Sequence, residues 1–79
     1  MNFDWNDIPL LLALARSGSM SAAGRTLGID PSTMSRRVAA AEAALGTRLF
    51  IRDNAGYHAT EAGVVFLTYA ERVLGDVKS

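Results

Sequence analysis

Between residues 32 and 37 the chain reads Ser32-Thr33-Met34-Ser35-Arg36-Arg37, small hydroxyls set beside guanidinium groups. Hydroxyls donate and accept hydrogen bonds, and an arginine fork donates two in parallel. That pairing suits phosphate oxygens and base edges. The surrounding charge agrees. Arg16, Arg25, Arg36, Arg37, Arg48 and Arg52 face only Asp30 and Glu42 between residues 16 and 52, a net charge of +4. The flanks are acidic, so the 79-residue chain is neutral overall. A neutral total by itself argues against a nucleic-acid partner, but the clustering of arginine argues for one. Catalytic chemistry finds little support. There is no cysteine, no phosphate-binding glycine loop and no metal-ligand spacing, and the single histidine, His58, has no carboxylate partner legible in the sequence. We expect no enzymatic activity, no cofactor and no metal.

The elements that must position these groups follow from periodicity and punctuation. Hydrophobic residues make up 49% of the chain and charged ones 20%, the balance of one globular domain. Trp5, Ile8, Leu11, Leu12 and Ala15 are spaced three and four apart, which predicts a first helix starting near residues 4–7, with Trp5 in its core face. Ser17-Gly18 ends it. Ser19 or Ser21 caps a second helix over 22–27, Gly28 stops it, and Ile29 turns into the core. Asp30-Pro31 is a strong start signal for a third helix that runs to Leu45 and stops at Gly46. Only three or four residues separate the second and third helices, a helix-turn-helix. Residues 48–52 and 57–59 read as two short strands around the turn 53–56, and Thr60 caps a last helix.

In the third helix Met34, Val38, Ala41 and Leu45 form one apolar stripe for the core. Ser32 and Arg36 then point away from it, Thr33 and Ser35 flank them, and Arg37 projects from a shoulder. The outer face is polar at its amino-terminal end and small at Ala39, Ala40 and Ala43. A helix that reads DNA presents its first turns to the bases, and this asymmetry fits that use.

The ordered set Gly18-Ser19-Met20-Ser21-Ala22-Ala23, Leu27-Gly28, Pro31 through Val38, Leu45-Gly46, Leu49-Phe50, Arg52 and Thr60-Glu61-Ala62-Gly63 resembles the winged helix-turn-helix of LysR-type transcriptional regulators. The match is collinear over essentially the whole chain. The resemblance implies a mainly α fold: a three-helix core, a small hairpin wing and a long carboxy-terminal linker helix. It implies a winged DNA-binding domain over 1–59, followed over 60–79 by the start of a dimerisation helix. It also implies a homodimer on double-stranded DNA, with the third helix in the major groove and the wing near the minor groove. Positions matching Pro31, Ser32, Ser35 and Arg36 face base edges or adjacent backbone in that family. With Thr33, these are the expected base readers. Ser21, Arg25, Arg37, Arg48, Arg52 and His58 are the expected backbone contacts. A co-inducer-binding domain normally follows, so the chain reads as a fragment of a cytoplasmic bacterial regulator.

Three departures from the family stand out. The wing turn has Asn54, Ala55 and Gly56 where an arginine is common, leaving Arg52 and His58 nearby. Ala41 and Ala59 replace common leucines. Asp30-Pro31 replaces a more usual Ser-Gln, removing an amide able to read adenine.

The last helix is apolar on two sides. Ala62, Phe66, Tyr69, Ala70, Val73 and Val77 form one, and Val64, Leu67 and Leu74 form the other. The second is expected to meet a partner copy. The alternative function is a winged-helix module for protein–protein contact, for which a neutral chain would be natural. No apolar run approaches a membrane span, and Asp4 and Asp7 precede the first apolar run, which is wrong for a signal peptide.

Overall fold

The computed structural model describes residues 3–75. A 3-10 turn, Trp5–Asp7, leads into α1 (Ile8–Ser17), α2 (Met20–Leu27), α3 (Pro31–Leu45), β1 (Phe50–Asp53), β2 (Gly56–Ala59) and α4 (Glu61–Gly75). Helices followed by one antiparallel hairpin make the winged helix-turn-helix that the residues predict.

Local chemistry sets most boundaries. Ser19, rather than Ser21, caps α2 by accepting the Ala22 N–H at 3.1 Å, so that helix begins at Met20, two residues earlier than expected. Gly28, Ile29 and Asp30 join α2 to α3. The turn is tight because the Ile29 carbonyl lies where a Cβ at Gly24 would be, and the Ile29 N–H reaches the Gly24 carbonyl at 2.8 Å. Asp30 then accepts the Thr33 N–H at 2.9 Å, with Pro31 in the first helical position.

The core gathers Leu10, Leu11 and Leu14 of α1, Ala23 of α2, and Met34, Val38 and Ala41 of α3 around Leu49, Phe50 and Leu67. The predicted stripe of α3 is thus its inner face, with Leu45 partly buried against the cluster. Trp5 corrects an expectation. It is 63% exposed, packed edge-on against Phe3. A 3-10 turn winds more tightly than an α-helix, so Trp5 falls out of register with the stripe that Ile8 begins.

The strand begins two residues later than expected, at Phe50. Leu49 stays outside the ladder because its N–H donates to the Glu42 carboxylate at 2.7 Å instead of to the facing strand, although its carbonyl still accepts the Thr60 N–H across the hairpin at 2.9 Å. Pairing then runs Phe50 with Ala59, Ile51 with His58, Arg52 with Tyr57 and Asp53 with Gly56.

Helix α4 holds a second correction. Leu67 was expected on the partner-facing side, yet it is 5% exposed and belongs to the core. Thr60 caps the helix through the Gly63 N–H at 2.9 Å, and a Cβ at Gly63 would collide with the Leu49 carbonyl. Helix and hairpin therefore meet backbone to backbone at Gly63, which turns Gly63, Leu67 and Ala70 inward. The outward apolar side chains are Val65 (66% exposed), Tyr69 (68%) and Val73, with Val64 also exposed. The Leu74 side chain and Val77 lie outside the described residues. No helix among the described residues is long and apolar enough to cross a membrane.

Candidate nucleic-acid interface

The amino-terminal turns of α3, the start of α2 and the hairpin tip meet around an open groove of about 460 Å³. Ser21 and Ser35 line it from the helices, and Arg52, Asp53, Asn54 and Tyr57 from the hairpin. The hairpin is pinned there by the Tyr57 N–H, which donates to the Gly18 carbonyl at 2.9 Å. Gly56 has φ 119° with the Gly18 carbonyl beside it, a place no side chain could occupy without strain. A second open groove runs past Ser21, Arg25, Asp30 and Pro31. Both grooves share Ser21, so Arg25, Pro31, Ser35 and Arg52 border one continuous surface.

The first turn of α3 carries its own network. The Asp30 carboxylate accepts the Ser32 hydroxyl at 3.0 Å and the Thr33 hydroxyl at 3.1 Å, in addition to the Thr33 N–H. The backbone bond from Thr33, with help from the Ser32 and Thr33 hydroxyls, holds the Asp30 carboxyl below its ordinary pKa. Arg36 Nη2 in turn donates to Thr33 Oγ1 at 3.3 Å. Ser32, Ser35 and Arg36 are all exposed. The resemblance pointed to most of these residues, but Asp30 as their common acceptor was not foreseen. The Asp-x-x-Thr spacing at a helix start was the available signal.

Three expected backbone contacts are placed differently. Arg37 was expected to project towards DNA, but Nε and Nη2 bond to one Asp7 oxygen at 2.8 and 2.6 Å. With Asp7 buried and the Arg37 side chain only 35% exposed, the pair fastens α3 to the amino-terminal turn. Arg48 lies beyond the carboxy-terminal end of α3, where Nη2 donates to the Phe50 carbonyl at 3.3 Å and Nε sits 3.6 Å from Glu42. His58 sits opposite Ile51, on the hairpin face away from Arg52 and Tyr57. It does have a carboxylate neighbour, with Nε2 3.0 Å from Asp53 Oδ1. That oxygen also accepts the Ala55 N–H at 2.8 Å, and this backbone bond is the main reason the Asp53 carboxyl is held below its ordinary pKa. Arg52, by contrast, lines the groove and lies over the Tyr57 ring, 5.5 Å from its centroid.

Glu42 was not singled out in the sequence, yet it organises the wing. One of its oxygens accepts the N–H groups of both Leu49 and Phe50, at 2.7 and 3.1 Å. Among the described residues no group of three or more His, Cys, Asp or Glu is arranged to hold a metal ion.

Known proteins share both the sequence pattern and this arrangement. The family described as bacterial regulatory helix-turn-helix protein, lysR family, matches residues 5–64. An uncharacterized HTH-type transcriptional regulator of Mycobacterium tuberculosis is 43% identical over 65 residues, 82% of this chain and 21% of that protein. The HTH-type transcriptional regulator IlvY of Escherichia coli is 37% identical over 71 residues, 90% of this chain and 24% of its own length. The chain thus spans under a quarter of the length of these curated relatives. The crystal structure of the CbnR_DBD–DNA complex superposes with a TM-score of 0.87 at 32% identity, covering 96% of this chain and 87% of the other. With family pattern, fold and groove in agreement, the chain belongs to the lysR family of bacterial regulatory helix-turn-helix proteins and is a DNA-binding domain of that family.

Proposed function

We propose that this domain binds double-stranded DNA sequence-specifically as a homodimer, with α3 in the major groove and the hairpin against the flanking backbone. Pro31, Ser32, Thr33, Ser35 and Arg36 face the bases, while Ser21, Arg25 and Arg52 contact phosphates. The observation that carries the reading is the exposed hydroxyl-and-arginine end of α3, bordered by Arg25 and Arg52 on one continuous surface. A similar domain, CbnR_DBD, has been crystallised on DNA, which supports the same use here. Arg37 leaves the set because its ion pair with buried Asp7 holds the guanidinium against the amino-terminal turn, and Arg48 and His58 leave it because they lie off this surface. The wing therefore reaches phosphate through Arg52 rather than through its turn.

The dimer forms through the outward face of α4, where Val65, Tyr69 and Val73 join the expected Val64, while Leu67 leaves the set because it is buried in the core. In the whole regulator, α4 continues as a linker helix to a co-inducer-binding domain in the bacterial cytoplasm. No enzymatic step enters this reading.

Fluorescence anisotropy against DNA from upstream of its own gene, with a scrambled duplex beside it and salt as the variable, tests the proposal. Tighter binding to the upstream DNA is expected, falling with salt at a log–log slope of roughly −0.9 per phosphate neutralised. Absent or salt-insensitive binding by folded protein would turn the assignment towards a protein-contact module. Sedimentation of Val65→Glu as a monomer beside a dimeric parent would locate the self-association on α4.

A further inference from the structure

Asp30 does more than start α3, because it decides what its neighbours can offer a ligand. A carboxylate only accepts hydrogen bonds. At 3.0 and 3.1 Å from it, the Ser32 and Thr33 hydroxyls must therefore spend their single protons on Asp30. Thr33 Oγ1 also receives Arg36, which leaves it little to offer outward. Ser32 is different. It is exposed, its proton is committed inward, and both of its lone pairs are free. Asp30 is exposed beside it with acceptor capacity to spare. The side chains of this corner thus present acceptors only. Phosphate oxygens are acceptors too, so those two side chains are poor contacts for the DNA backbone.

In the major groove the base edges divide along the same line. Cytosine N4 and adenine N6 are donors, whereas guanine O6 and N7 and thymine O4 are acceptors. We infer that the Asp30–Ser32 corner reads an exocyclic amino group, selecting adenine or cytosine and rejecting guanine or thymine at one position of the contacted strand. Arg36, steered by Thr33, supplies donors one helical turn away and takes the opposite kind of edge. This rests on the DNA-binding reading above and deepens it. The choice belongs to this chain's Asp30, since a serine at that position would leave the Ser32 hydroxyl free to donate.

The test is selection from a randomised duplex pool by the parent chain, Ser32→Ala, Asp30→Ser and Arg36→Ala, each confirmed as folded by circular dichroism. Asp30→Ser retains a capping oxygen, so the helix keeps its start. The parent should favour A or C over G or T at one position by roughly tenfold. Ser32→Ala should flatten that position alone, Asp30→Ser should admit G or T there, and Arg36→Ala should flatten a different one. A parent motif with no such position, or one unchanged in Ser32→Ala, would overturn the inference while leaving DNA binding in place. So would an Asp30→Ser variant that binds every sequence more tightly with its motif intact, which would make Asp30 a cap and a charge only. Failure of the folded parent to retain any duplex would instead sink the DNA-binding reading itself.

Discussion

Helices α3 and α4 are each fifteen residues long, each begins with an oxygen cap, and each buries one face in the same core. Their outer faces differ in kind. That of α3 carries Ser32, Ser35 and Arg36, with small alanines beyond, whereas that of α4 carries Val65, Tyr69 and Val73. A hydroxyl-and-arginine face loses little in water and gains most from a polar, charged partner. An apolar face gains by being covered. The same building unit is thus suited to two kinds of partner, and its outer residues decide which.

The difference can be broken most severely from inside α4. Leu67→Ala should cost about 3 kcal/mol of folding free energy, the usual range for emptying a buried leucine site. Val65→Ala, two residues away but on the outer face, should stay within about 0.5 kcal/mol at concentrations where the chain is monomeric. Urea denaturation of both variants checks this, and equal losses would mean that α4 is rotated from its described position.

The next largest effect separates two adjacent arginines of α3. Arg37→Ala strands the buried Asp7 carboxylate and should cost about 2–3 kcal/mol of stability. Its salt slope for DNA should match that of the parent. Arg36→Ala should do the reverse, leaving the denaturation midpoint in place while weakening the preferred DNA site by about 1–3 kcal/mol. If both variants lose only DNA affinity, the Asp7 clamp is not what holds Arg37.

The smallest effect is acid sensitivity. Asp30 and Asp53 have folded pKa values below the ordinary aspartate value. Their stabilising contribution is therefore complete above the unfolded pKa, roughly pH 4, and is lost as pH falls through the folded values. Thermal melts between pH 7 and pH 3 should show less acid dependence in Asp30→Ser than in the parent. An identical profile would mean that Asp30 contributes nothing through its charge.

How much could be read from residues alone follows the range of the deciding contact. The start and stop of α3 were legible because Asp30, Pro31 and Gly46 act on their own neighbours. Its stripe was legible because Met34, Val38 and Ala41 stand out against a polar face. The rotation of α4 was not legible, since that helix is apolar on more than one side and Gly63 settles the matter against Leu49. The ion pair of Arg37 was not legible because Asp7 lies thirty positions earlier in the chain. The late start of β1 depends on Glu42, which no spacing rule connects with Leu49 and Phe50.

That single carboxylate has a mechanical consequence. Glu42 belongs to α3 yet grips the first N–H groups leading into the hairpin, so a roll of α3 about its axis is passed on to the wing tip. On the proposed reading α3 and the wing tip are two probes, like the jaws of a caliper with one hinge locked. A duplex engaged by both must match their fixed spacing, and where it does not, the bending strain falls on the duplex.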